Sequence, residues 1–190
     1  MQDQLTRRTL IASAAFVPLA SLTAQAVRGL TAAQRKTLDA FVDRLIPSDE
    51  LGPGALEAGA GEYIDRCLGD YLKAEKQAIA EGLAALDAYA KSLHGAELAS
   101  LPADQRDAVL TDIEAGKGIP NAAGLFNRIR RLTLEGMFGD PHWGGNRSFA
   151  GWDLIRYPGP RLVVAAEDQK LDAKPAPYRK SAWGETHDGH

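Results

Sequence analysis

Five stretches with apolar residues at helical spacing, all between residues 31 and 139, constrain this chain to an all-α fold. The first opens with a capping-box pattern from Thr31 to Gln34 and stops at Pro47, which cannot continue a helix. Its apolar face follows the i, i+3, i+4, i+7 rule and consists of Leu38, Phe41, Val42 and Leu45. This pattern predicts a helix that buries one side.

The other four stretches carry similar signals for where a helix begins or ends. Gly95 suits the left-handed cap that ends a helix, and Pro102 suits a helix start. The predicted helices run from about Gly61 to Leu68, Ala74 to Leu93, Pro102 to Gly116, and Asn121 to Gly139. We therefore expect a bundle of about five helices.

The helical period ends at Gly139. The segments 139–146 and 151–160 alternate glycine and proline with large aromatic residues, including Trp143 and Trp152. This composition predicts no regular element; it suits a tightly packed loop, a surface that docks another subunit, or both. Residues 161–166 form at most one short extended segment, and 167–190 lack any apolar period, which predicts an extended arm.

The N-terminus has the layout of an export leader. Arg7 and Arg8 precede an apolar stretch, 10–22, which is interrupted by Pro18 and too short to span a membrane. Small residues predict cleavage after Ala26. The adjacent arginines predict a twin-arginine leader and periplasmic export of a folded protein; an ordinary secretory leader that happens to hold two arginines is the alternative.

These boundaries divide the chain into a leader (1–26), a helical domain (27–166) with the glycine- and tryptophan-rich loops, and a C-terminal arm (167–190). Removing the leader takes away Arg7, Arg8 and Asp3 and moves the formal charge from -3 to about -4, which argues against nucleic acid as a partner. Cys67 is the single cysteine, so an intramolecular disulfide, a c-type haem attachment and a cysteine-based metal cluster are excluded.

Asp140, His142 and Asn146 lie close together in a glycine-rich turn and invite comparison with a metal or acid–base site. An Asp-x-His pair supplies at most two ligands where a mononuclear site needs three or four, and Asp before Pro commonly opens a turn. A structural turn is thus the favoured interpretation. The terminal pair His187 and His190 lies beside glycines and is typical of a mobile tail.

Several segments resemble the gluconate 2-dehydrogenase subunit 3 family. The resemblance covers roughly Leu30 to Pro160, and its motifs occur in the family's order: Phe41-Val42-Asp43-Arg44-Leu45-Ile46-Pro47, Gly52 to Gly59, Thr133 to Pro141, Gly144-Gly145-Asn146 and Gly151-Trp152. It implies an accessory subunit whose partner is an FAD-dependent catalytic subunit of the glucose-methanol-choline type, with a haem-bearing cytochrome c receiving the electrons. The small subunit often bears the leader for a leaderless flavoprotein.

The expected function is therefore that of a non-catalytic small subunit, with no cofactor, metal or catalytic residue of its own. The alternatives are a free-standing periplasmic helical protein for binding or structure, and an enzyme that uses Asp140 and His142. We expect the arm to wrap the catalytic partner. The predicted partner interface comprises Asp140, His142, Trp143, Asn146, Trp152, Tyr157, Tyr178 and Trp183.

Overall fold

The computed structural model describes residues 28–161 and 163–184, and within these ranges it contains helices and no strand. The leader, its predicted cleavage site, and His187 and His190 lie outside the described residues. The helices are α1 (Ala32–Leu45), α2 (Ala60–Gly69), α3 (Lys76–His94), α4 (Ala103–Glu114), α5 (Ala122–Phe138) and α6 (Ala150–Leu154). The predicted all-α class is confirmed, and α1–α5 coincide with the five predicted helices to within a few residues.

Local signals set the helix ends. The amide of Gln34 donates to the Thr31 hydroxyl (3.3 Å) and the Gln34 side chain accepts from the Thr31 amide (3.0 Å), so the predicted capping box forms. Gly95 adopts the left-handed conformation after α3, with φ 78°, as its position indicated. Pro102 directly precedes the first turn of α4.

The core lies where α5 packs against α2 and α4, and α1 contacts each of the helices α2 to α5. Burial of apolar side chains is the main stabilising contribution. The largest fully buried residues come from every one of these helices and include Phe41, Leu38, Ile64, Leu68, Leu83, Leu86, Ile113, Ile129, Leu132 and Met137. None of the helices in the described part of the chain is long and apolar enough to cross a bilayer.

The prediction that the segments 139–146 and 151–160 form no regular element is wrong in detail. Two single 3-10 turns, Pro141–Trp143 and Arg147–Phe149, precede α6 (Ala150–Leu154). A helix of five residues is too short for its apolar period to be recognised. It follows a run of left-handed backbone at Asn146, Ser148 and Phe149, which sequence rules do not predict for serine or phenylalanine.

The described part of the arm lies against its own domain. The Tyr178 amide donates to the Pro158 carbonyl (2.7 Å), and the Arg161 guanidinium donates to the Ala176 carbonyl (2.8 Å). No strand forms in the described residues of 161–166. The arm has no α-helix between 167 and 184, as its lack of apolar period indicated. Its described residues are held instead by hydrogen bonds to the loops.

Candidate docking surface

Asp140 joins the first loop after α5 to the arm. One carboxylate oxygen accepts from the His142 amide (2.9 Å) and opens the 3-10 turn. The other accepts from the Ala182 amide (2.8 Å), 42 positions later. The sequence predicted the turn but not the second hydrogen bond, which places the end of the arm on the loop.

Three rings gather beside this junction, and we call His142, Trp143 and Trp183 the aromatic cluster. His142 stacks on Trp183 with ring centroids 4.9 Å apart and an angle of 13°, while Trp143 meets both rings edge-on at 4.9 and 5.4 Å. Such pairs contribute about 0.5–1.5 kcal/mol each beyond the area they bury. Trp143 stays 49% exposed and Trp183 57% exposed. Rings held in place yet open to solvent are typical of protein-binding surfaces.

Asn146 and Trp152, also predicted as partner contacts, have another role in this structure because both are buried. The Asn146 side chain donates to the Gly139 carbonyl (2.8 Å) and accepts from the Gly151 amide (2.9 Å). The Trp152 indole donates to the Phe138 carbonyl (2.9 Å). These side chains fasten the loops to the end of α5, and their burial removes them from the candidate surface.

Tyr157 and Tyr178 are partly exposed, at 42% and 46%. The Tyr157 ring meets buried Trp152 edge-on at 5.0 Å, whereas Lys180 lies over the Tyr178 ring at 5.6 Å. Both rings therefore keep apolar surface available at the loops and the arm, and their place at an interface stays a prediction.

Arg179 holds the arm on the segment 148–153, a few residues before Trp183. Its guanidinium donates to the Asp153 carboxylate (2.5 Å) and to the Ser148 carbonyl (3.2 Å), and lies 5.9 Å from the centre of the Phe149 ring. The position of Trp183 thus depends on two polar contacts that precede it in the arm, at Arg179 and at Ala182. The aromatic cluster forms only while the arm keeps these contacts, because Trp183 belongs to the arm.

Sequence analysis missed a polar cluster on α2 and α5. The Tyr63 hydroxyl lies 3.0 Å from the Tyr71 hydroxyl and donates to Glu135 (3.4 Å). Burial raises the pKa of Tyr63 and of the neighbouring Cys67 thiol, so both stay protonated at neutral pH. The available signal was the spacing of four between Tyr63 and Cys67 on α2; Tyr71 lies in the turn after that helix. No group of three or more metal-binding side chains occurs in the described residues.

A groove of about 500 Å³ between α3 and α5 was not predicted either. Its lining includes the small residues Ala78, Gly82 and Gly124. It also includes Arg128 and Glu75, which form a two-point ion pair (2.5 and 2.7 Å). The groove is mainly apolar, and its lining contains no histidine, cysteine or serine.

The fold and the surface together define an all-α protein that presents fixed, exposed aromatic rings of the kind that bind other proteins. The family model described as Gluconate 2-dehydrogenase subunit 3 matches residues 32–159. That match covers more than half of the chain, and the chain belongs to this family, which is an accessory subunit of a dehydrogenase complex. No curated protein and no solved structure matches the chain.

Proposed function

We propose that this protein is the non-catalytic small subunit of a periplasmic, FAD-dependent dehydrogenase of the glucose-methanol-choline type, and that it supports the export, folding and stability of the flavoprotein. Family membership supports the coarser part, a subunit of a dehydrogenase complex. Arg7 and Arg8 in the leader support export through the twin-arginine route. The observation that carries the docking role is the aromatic cluster.

Docking explains how such a subunit acts without chemistry of its own. Trp143 and Trp183 offer large apolar area at small entropic cost, because their contacts with the His142 ring and the hydrogen bonds of Asp140 already hold them. A partner that binds only the folded flavoprotein stabilises it by mass action. The flavoprotein would oxidise a sugar or sugar-acid hydroxyl by hydride transfer to FAD, and a cytochrome c haem would take the electrons onward.

Co-purification tests the docking role. A C-terminally tagged chain co-expressed with its candidate flavoprotein is expected to retain a larger subunit with flavin absorbance. Trp183→Ala should weaken that complex by roughly thirtyfold, the effect of a central aromatic contact. Leu93→Ala, at a residue 50% exposed near the end of α3, is the control and should bind as wild type.

A wild-type chain that purifies alone, beside an expressed flavoprotein, would favour a free-standing helical protein instead. Equal binding by the Trp183 and Leu93 variants would remove the aromatic cluster from the interface.

Paired substitutions Arg7→Lys and Arg8→Lys test the export role. If the leader is of the twin-arginine type, both the small subunit and the flavoprotein should remain in the cytoplasm, because that route reads the two arginines themselves. Continued export of the variant would indicate an ordinary secretory leader.

A further inference from the structure

A buried attachment that the sequence did not predict lies near the start of the described residues. A carboxylate oxygen of Asp65 on α2 accepts from the amides of Gly29 (2.9 Å) and Leu30 (2.8 Å). The Gly29 amide also donates to the Asp65 carbonyl (3.0 Å). We call this contact the Asp65 clamp. Asp65 is 2% exposed, and Arg35 lies 3.5 Å from its second oxygen.

Packing makes the clamp tight. A β-carbon on Gly29 would lie 2.5 Å from Cβ of Leu68 and 2.8 Å from the amide nitrogen of Gly69, so only glycine fits against the end of α2. Leu30 is 8% exposed and belongs to the hydrophobic core. Hydrogen bonds to a buried carboxylate are stronger than neutral ones, and breaking these two leaves the buried Asp65 charge with Arg35 but without the two amides. Gly29 and Leu30 are therefore firmly held rather than part of a loose terminus.

The clamp lies very near the predicted cleavage site. Cleavage after Ala26 leaves only Val27 and Arg28 between the bond to be cut and the first clamped residue. Peptidases require accessible, locally unfolded backbone around the bond that they hydrolyse, and compact chain is cut only after it opens. Gly29 and Leu30, the third and fourth residues after that bond, lack this freedom because Asp65 holds their amides.

We propose that the Asp65 clamp controls removal of the leader, so that the peptidase acts only when Gly29 and Leu30 lift away from α2. The proposal rests on the leader assigned under the proposed function. In the step itself water hydrolyses the Ala26–Val27 peptide bond, which leaves a carboxylate on Ala26 and an amino group on Val27. Where opening and closing are fast, the rate follows the fraction of open molecules. A chain that crosses the membrane folded would thus keep its leader, and stay attached to the membrane through it, until the clamp opens.

Purified full-length precursor incubated with signal peptidase in detergent tests this directly. The measured quantity is the rate at which a product beginning at Val27 appears by mass spectrometry. Asp65→Ala should be processed about tenfold faster, because the two amides lose a charged acceptor. A Gly-Ser-Gly-Ser segment inserted between Val27 and Arg28 should have a similar effect, since it moves the bond away from the clamp.

Combining the two changes should give no more acceleration than the insertion alone, as expected for two changes that act on one step. Asp107→Ala removes an exposed carboxylate that pairs with Arg44 far along the chain and should leave the rate unchanged. The assay contains no flavoprotein and no export machinery, so failure of the docking or export proposals would not alter its outcome.

Three results would each overturn the proposal: equal rates for wild type and the insertion variant, an unchanged rate for a folded Asp65→Ala variant, or a product that begins well before Val27. If Asp65→Ala does not fold by circular dichroism, the insertion variant decides alone, because it leaves every clamp contact in place.

Discussion

Replacing Asn146 by alanine tests how the loops are fastened to the bundle. Its side chain is fully buried and connects three backbone groups: the Gly139 carbonyl (2.8 Å), the Gly151 amide (2.9 Å) and the Trp152 amide (3.4 Å). Its backbone is left-handed, with φ 46°, a conformation that asparagine tolerates better than alanine. The substitution therefore removes hydrogen bonds and adds backbone strain.

The expected loss in the free energy of unfolding follows from these contributions. Two good hydrogen bonds are worth about 1 kcal/mol each, and a buried amide left without an acceptor costs roughly 1–3 kcal/mol. Left-handed backbone adds about 1 kcal/mol for alanine. Because the first two contributions overlap, the total for Asn146→Ala is about 3–5 kcal/mol.

Asn121→Ala is the matched control. Asn121 is also left-handed, with φ 52°, but it is exposed and its side chain makes no capping hydrogen bond to α5. It should lose only about 1 kcal/mol, the backbone contribution. Urea unfolding followed by circular dichroism and tryptophan fluorescence measures both variants. Equal losses for the two would refute the claim that the Asn146 hydrogen bonds hold the loops.

The effect of one further substitution and the rate of one chemical reaction can be predicted from the packing of α2. Gly136→Ala would place a β-carbon 2.9 Å from the Tyr63 ring and 3.0 Å from the Ala60 backbone, and should cost about 1–3 kcal/mol in thermal or urea unfolding; a stability equal to that of wild type would contradict this close approach of α5 to α2. The Cys67 thiol, whose pKa burial raises, should react with iodoacetamide at pH 8 far more slowly in the native protein than in denaturant; equally fast labelling in the two conditions would show that Cys67 is accessible.

The sequence by itself determined the helices. Apolar period, the capping box at Thr31 and the glycine at Gly95 are signals carried within a few residues, and hydrogen bonds in a helix join residues equally close together. For the same reason α1–α5 could be read from the chain with small errors at their ends. The short α6 was not predicted, because five residues are too few to show an apolar period.

The candidate surface was predicted as a set of residues but not as an arrangement. Composition pointed to residues of the loops and the arm, but it could not separate exposed Trp143, Tyr157, Tyr178 and Trp183 from buried Asn146 and Trp152. Burial depends on what the rest of the chain places on top of a residue, and that information is absent from a local pattern.

Only the tertiary structure decided the contacts between distant parts of the chain. Trp183 stacks on His142 across 41 positions, and Asp65 holds the Gly29 amide across 36. In the clamp, as at Asn146, one partner is a backbone group, which every residue carries and which leaves no trace in the sequence. Local chemistry thus determined the helices, whereas the candidate docking surface and the Asp65 clamp arose from packing.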